Sequence, residues 1–265
     1  MIPCPGFKEF IKNYELLDTI GKSDISVIKK IKLKSNNKHY IAKIIDKNKE
    51  NNIYNEYWII KELTEVPNII QFYSAYEDDL YFLLVFELLK TPDIAEYLDK
   101  NGPLKLLNVK KIVYVLATTL KHLHKKKIAH LDIKPDNIMC DFEGRIKLID
   151  FGLSKHLKDM IGTCCGTIYY ISPEIIQSIN KIPIIINCKT DIWSLGITMY
   201  VMLFKEYPFY SKCNKQVSQM IMNVQFDDIK NVNQLDINTR NLLKLCLKKN
   251  PTERISAEEI LNHEW

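Results

Sequence analysis

The sequence predicts an α+β fold in two lobes: a small sheet-rich lobe with one helix, then a larger, mostly helical lobe. Two observations predict it. The first ninety residues carry short β-branched and aromatic runs in strand-like alternation. Beyond Thr91-Pro92 the apolar residues recur at helical spacing. The change falls near Glu87–Pro92, so a single domain, 1–265, divides into a small lobe at about 14–86, a connector at about 87–92 and a large lobe at about 93–265.

In chain order, strands are expected at Tyr14–Ile20, Ile25–Leu33, His39–Ile45, Ile69–Tyr76 and Tyr81–Glu87. Between the third and fourth, Ile53, Tyr57, Ile60 and Leu63 mark a helix over Asn52–Leu63. In the large lobe Ile112, Leu116, Leu120 and Leu123 form one face of a long helix. Ile192–Phe204 is nearly all apolar, as in a helix buried on most sides. Ser256-Ala257-Glu258-Glu259 is a capping box that opens a last short helix. A cleft between the lobes is the expected ligand site.

A net charge of +5 is too mild to argue for nucleic acid, but it suits a polyanionic small ligand. The seven cysteines are odd in number and form no C-x-x-C pair, which fits free thiols in a reducing, intracellular and cytoplasmic setting. The N-terminus lacks a secretory pattern, and no apolar run has the length of a membrane span. Lys121–Lys127, with His122 and His124, reads as a solvated helix end rather than a metal site.

Three motifs carry chemistry: His130-Leu131-Asp132-Ile133-Lys134-Pro135-Asp136-Asn137, then Asp150-Phe151-Gly152, then Gly166-Thr167-Ile168-Tyr169-Tyr170 running into Ser172-Pro173-Glu174. An isolated Asp-Phe-Gly arises often by chance; the ordered set does not. Upstream lie Tyr40-Ile41-Ala42-Lys43-Ile44-Ile45 and Leu84-Val85-Phe86-Glu87-Leu88-Leu89, and downstream Asp191-Ile192-Trp193-Ser194-Leu195-Gly196. Order and spacing resemble the catalytic domain of eukaryotic-type Ser/Thr protein kinases over residues 14 to 265. In motif style the chain is similar to the calcium/calmodulin-dependent group, where His-Leu-Asp also occurs.

The resemblance implies transfer of the γ-phosphate of ATP, with Mg²⁺ or Mn²⁺, to Ser/Thr hydroxyls of protein substrates. It implies catalytic roles for Asp132, Lys134, Asn137 and Thr167. Asp132 would orient the acceptor hydroxyl, Lys134 would neutralise the γ-phosphate, and Thr167 would bridge the two. Asn137 and Asp150 would hold metal as hard oxygen donors. The nucleotide would meet Ile20, Gly21, Ser23, Ser26, Ile28, Ile41, Lys43, Glu56, Phe86, Glu87, Leu89 and Asp150. Among these, Lys43 would grip the α- and β-phosphates with Glu56 as its ion-pair partner, and the backbone near Glu87 and Leu89 would bond the adenine. Asp191 would hold the catalytic-loop backbone, and Arg254 would pair with Glu174. Asp93 and Asp136 match positions that contact an upstream Arg of the substrate in basophilic kinases. A monomer that binds neither nucleic acid nor membrane completes the picture.

The sequence departs from the family pattern at three places. In Ile20-Gly21-Lys22-Ser23-Asp24-Ile25-Ser26-Val27-Ile28 serines stand where the second and third glycines belong, which predicts weaker ATP binding rather than none. Ile41 replaces the usual alanine over the adenine. Leu131 replaces the Arg that normally pairs with an activation-loop phosphate, so phosphorylation at Thr163 has Lys155 as its one matched cation. A pseudokinase scaffold is the main alternative, favoured by the weak glycine loop and opposed by the intact charged residues. A small-molecule phosphotransferase is the other, opposed by the Gly-Thr…Pro-Glu segment and the Asp-x-Trp-Ser-x-Gly helix.

Overall fold

A computed structural model describes residues 4–49, 53–141, 145–160, 166–180, 182 and 186–265. The chain divides into two units, Met1–Glu65 with Ile70–Lys90, and Val66–Ile69 with Thr91–Trp265.

The first unit contains α1 (Phe7–Asn13), β1 (Tyr14–Lys22), β2 (Ser26–Leu33), β3 (His39–Asp46), α2 (Asn55–Glu62), β4 (Phe72–Glu77) and β5 (Tyr81–Glu87). The strands form one antiparallel sheet in the order β1-β2-β3-β5-β4. Because side chains alternate across a strand, each strand feeds two faces. Tyr14, Ile31, Tyr40, Ala42, Leu83 and Val85 build a core on one face. Phe10 of α1 closes it, 5.3 Å from the rings of both Tyr14 and Tyr76. The other face receives Ile41 and Lys43, with Ile28 opposite Lys43 and Phe86 opposite Ile41.

Two elements differ from the sequence expectation. Helix α1 has too few residues to show a period; it forms because Phe10 finds the aromatic core. The fourth strand starts at Phe72 rather than Ile69. Asn68 takes a left-handed conformation (φ 60°) and Ile69 bridges Leu148 in the second unit. Helix α2 occupies Asn55–Glu62, and Asn52 lies outside the described residues.

The second unit contains α3 (Ile94–Asn101), α4 (Leu106–Lys125), β6 (Ile128–Ala129), β7 (Ile138–Cys140), β8 (Ile146–Leu148), β9 (Lys155–His156), α5 (Pro173–Ile179), α6 (Lys189–Phe204), α7 (Asn214–Asn223), α8 (Ile237–Cys246) and α9 (Ala257–Leu261). The expected stripe of α4, Ile112, Leu116, Leu120 and Leu123, is buried. Helix α6 is buried from Thr190 to Met202, as the nearly all-apolar run from Ile192 leads one to expect. A Cβ on Gly196 would stand 2.8 Å from the Cβ of Cys246, so α6 and α8 pack too closely for any larger residue there. The capping box at Ser256 and Glu259 opens α9. Among the described residues no helix is long and apolar enough to cross a membrane.

Candidate active site

Helix α6 fixes the site in the second unit. Asp191, fully buried in its first turn, accepts hydrogen bonds from the backbone N–H groups of Leu131 and His130, each at 2.9 Å. Leu131 has φ 69° and Asp150 φ 58°, conformations that cost a non-glycine residue about 1–3 kcal/mol each. The Asp191 carboxylate holds Leu131 in that state by capturing its N–H. Further ties come from Thr198 to the Ile133 carbonyl at 3.3 Å and from Ser154 to the His130 carbonyl at 3.2 Å.

His130 is fully buried between two backbone partners. Its Nε2–H donates to the Ile149 carbonyl at 3.2 Å, and its Nδ1 accepts the Asp132 N–H at 3.3 Å. The Nδ1 bond needs the neutral ring, because an imidazolium has no acceptor nitrogen. Burial pushes its pKa below the usual histidine value, against the opposing pull of Asp191, Asp132 and Asp150.

Four of the expected residues converge in this loop. The Oδ2 of Asp132 accepts from Asn137 Nδ2 at 2.8 Å and pairs with Lys134 Nζ at 2.8 Å. Its Oδ1 accepts a longer bond, 3.3 Å, from the Thr167 hydroxyl, which itself accepts from Lys134 Nζ at 3.0 Å. Thr167 reaches this position because Gly166 precedes it at φ 104°. A Cβ on Gly166 would meet the Leu131 carbonyl oxygen at 3.1 Å and Ile171 Cγ2 at 3.0 Å. Asn137 also donates to the Asp132 carbonyl at 2.9 Å, so its amide nitrogen is committed and its carbonyl oxygen is the group left for a ligand. Asp150 Oδ1 accepts the Gly152 N–H at 3.2 Å.

In the first unit, Lys43 Nζ lies 2.7 Å from Glu56 Oε2, with both side chains largely buried. The expected pair therefore forms, on the sheet face that also holds Ile28, Ile41 and Phe86. Gly21 lies opposite Ile28, and Ile20 is exposed. The serines of the loop close a tight turn: Ser23 N–H donates to the Ser26 carbonyl at 2.9 Å, and Ser26 N–H donates to Ser23 Oγ at 3.1 Å. Side-chain hydrogen bonding thus shapes a turn where glycine would have supplied freedom alone. The Glu87 N–H is spent on the Gln71 carbonyl at 3.0 Å, which removes it as a donor to adenine; Leu89 lies beyond the last paired residue of β5.

One expectation is corrected. His124 is not part of a solvated helix end: its Nε2 sits 2.9 Å from Asp191 Oδ2, and 15% of the side chain is exposed. The signal was in the sequence, because His124 follows Leu120 by four and so continues the buried stripe of α4. Lys125, Lys126 and Lys127 are exposed as expected. No group of three or more metal-ligating side chains appears among the described residues. Thr163 lies outside them.

The protein kinase domain model matches residues 14–265. Serine/threonine-protein kinase cds1 of Schizosaccharomyces pombe is 31% identical over 268 residues, covering 96% of this chain and 58% of that protein. Two probable myosin light chain kinases of Dictyostelium discoideum are 31% and 33% identical, covering 96% and 95% of this chain and 81% and 53% of theirs. The chain thus spans between about half and four-fifths of the length of these relatives. A match over nearly the whole sequence, to a family whose motifs fall on the loop that Asp191 holds, establishes that this chain belongs to the protein kinase domain family.

Proposed function

We propose that the chain transfers the γ-phosphate of ATP to Ser or Thr hydroxyls of protein substrates. The observation that carries this reading is the Asp132–Lys134–Thr167–Asn137 cluster, in which a buried carboxylate is positioned by three partners. Asp132 Oδ1 carries a single long hydrogen bond and so keeps capacity to accept from an acceptor hydroxyl and aim it at phosphorus. Lys134, paired with the other oxygen of the same carboxylate, offers a positive charge for the phosphoryl group in transfer. Thr167 fixes both side chains.

The donor set fits a hard divalent cation, because a carboxylate at Asp150 and an amide oxygen at Asn137 are the oxygen ligands that Mg²⁺ prefers. When bound, the cation neutralises phosphate charge. Lys43, oriented by Glu56, pairs with the α- and β-phosphates. Phe86 and Ile41 face the adenine, and the backbone at Leu89 supplies its hydrogen bonds. The Ser23–Ser26 turn covers the phosphates in a preformed shape.

Asp93 and Asp136 favour substrates with an upstream Arg. Asp93 caps α3 through the Glu96 N–H at 2.7 Å, and its pKa is raised first by burial and then by the charge of Asp136. Two carboxylates that repel each other gain from a bidentate guanidinium.

The test is steady-state phosphorylation of Ser/Thr peptides by wild type, Asp132→Asn and Thr167→Val. Wild type should turn over, Asp132→Asn should lose on the order of a thousandfold or more in kcat, and Thr167→Val should lose an intermediate amount. A folded wild type that binds ATP without turnover would make the chain a pseudokinase. Phosphorylation confined to small-molecule alcohols would make it a metabolite kinase.

A further inference from the structure

Helix α2 carries Glu56, yet its own sequence does little to fix where it lies. It has 8 residues, fewer than the roughly 12 that an isolated helix needs in water. Tyr54, its N-cap, makes no side-chain bond to the first turn. Its placement therefore comes from the sheet. Tyr57 meets the rings of Phe72 and Phe82 edge-on, each at 5.9 Å, while the neighbouring Trp58 is exposed.

A polar anchor stands at the start of the helix. Glu77, the last residue of β4, gathers three separate segments. Its Oε1 pairs with Lys47 Nζ at 2.6 Å and accepts the Tyr54 hydroxyl. Its backbone N–H donates to the Pro5 carbonyl, ahead of α1, at 3.0 Å. Lys47, one residue past β3, is itself tied down. Its N–H donates to the Leu80 carbonyl and its Nζ to the Asp78 carbonyl, both at 3.0 Å. The Tyr54 ring packs edge-on against Phe82 at 5.2 Å, which leaves the hydroxyl little freedom to turn away.

The charges suit an anchor. Burial pushes the Glu77 carboxyl up, but the bonds from Lys47 and Tyr54 outweigh it and hold the pKa below the usual carboxylate value. The bond to Glu77 pushes the Tyr54 phenol up, so it stays a donor. A phenol donating to a carboxylate makes a charge-assisted bond, stronger than one between neutral groups.

We infer that Glu77 is a positioning residue: through Tyr54 it holds the start of α2 where Glu56 meets Lys43. Tyr54 and Glu56 are two residues apart, so a helix end released at Tyr54 carries Glu56 with it. On the phosphate-binding role proposed for Lys43, on which the functional value of this tether rests, bound nucleotide shares the ammonium with Glu56. The Lys43–Glu56 pair then holds the helix less firmly, while the Tyr54–Glu77 bond is unaffected. A purely structural role for the same bond would loosen the sheet as much as the helix.

The test combines amide hydrogen exchange with equilibrium binding of AMP-PNP and Mg²⁺ to the full chain. Tyr54→Phe removes one oxygen and keeps the ring on Phe82, so the variant should fold, which its melting temperature checks. Exchange at Ile59 and Ile60 should quicken by about fivefold or more, with the amides of β3 and β5 unchanged. AMP-PNP should bind about fivefold or more weakly, because a smaller fraction of molecules presents Lys43 correctly. In Glu56→Gln, where the ion pair is already broken, adding Tyr54→Phe should cost less than about twofold in affinity. Glu77→Gln, with a weaker acceptor and an unaltered helix, should move exchange and affinity in the same direction. Exchange needs no nucleotide: a wild type that fails to bind AMP-PNP would sink the phosphotransfer reading, and exchange in α2 would still decide this one. Unchanged exchange in α2, exchange that quickens equally in the strands, or an affinity loss undiminished in Glu56→Gln would each overturn the inference.

Discussion

Arg254 and Glu174 form a two-pronged ion pair sealed from solvent: Nη1 to Oε1 at 2.6 Å and Nη2 to Oε2 at 2.9 Å, with both side chains fully buried. The guanidinium also donates to the carbonyls of Lys248, Lys189 and Lys249 and lies over Trp193. It ties α5, the start of α6 and the segment before α9 to one another. Glu174→Gln should therefore destabilise the protein by about 3–5 kcal/mol, because a buried charge loses its partner. Arg254→Lys should also destabilise it, since an ammonium cannot reproduce the fork. Urea unfolding measures both, and a loss below about 1 kcal/mol in either would show that the pair is structurally idle.

His130 predicts a pH dependence. The folded protein holds it neutral, below its ordinary value of 6.5. As pH falls through about 6.5 the unfolded chain takes up a proton that the folded chain refuses, so stability present above that pH is lost below it. The slope can reach about 1.4 kcal/mol per pH unit. Unfolding free energies at pH 7.5 and 5.5 should show this loss in wild type and a much smaller one in His130→Gln. The same slope in both proteins would assign the loss to another group.

Substrate preference tests the acidic pair. A positional peptide library should show Arg enriched three residues before the phosphorylated Ser or Thr. Asp136→Asn should lower kcat/KM for such peptides by roughly tenfold, the worth of a charge-assisted hydrogen bond, with little effect on peptides that lack Arg. Absence of any Arg enrichment would leave Asp93 as a helix cap and nothing more.

Regulation tests Leu131. It is a buried apolar residue at the position where the resemblance places a phosphate-binding Arg. Phosphatase-treated wild type and Thr163→Ala should therefore work within a few-fold of untreated enzyme. A drop of about a hundredfold, roughly 3 kcal/mol, would reveal a cationic partner for a phosphate at Thr163.

What the sequence determined by itself is what is local or periodic. The stripe of α4 and the nearly all-apolar run of α6 announced buried helices, because local periodicity and composition need no partner to be visible. Lys43, Asp132, Asn137 and Asp150 stood out as candidates because an ordered set of short motifs is visible in the sequence without any tertiary contact. The tertiary structure decided what depends on residues far apart. Helix α1 exists through Phe10 meeting Tyr14 and Tyr76, and Ile69 left its expected strand for Leu148. His124 and His130 gained their roles from Asp191, Ile149 and Asp132, none of them within one helical turn of His124 and two of them remote from His130 in sequence. The physical reason is the same in each case. A buried polar or aromatic side chain is defined by the group that satisfies it, and the chain brings that group near only when it folds.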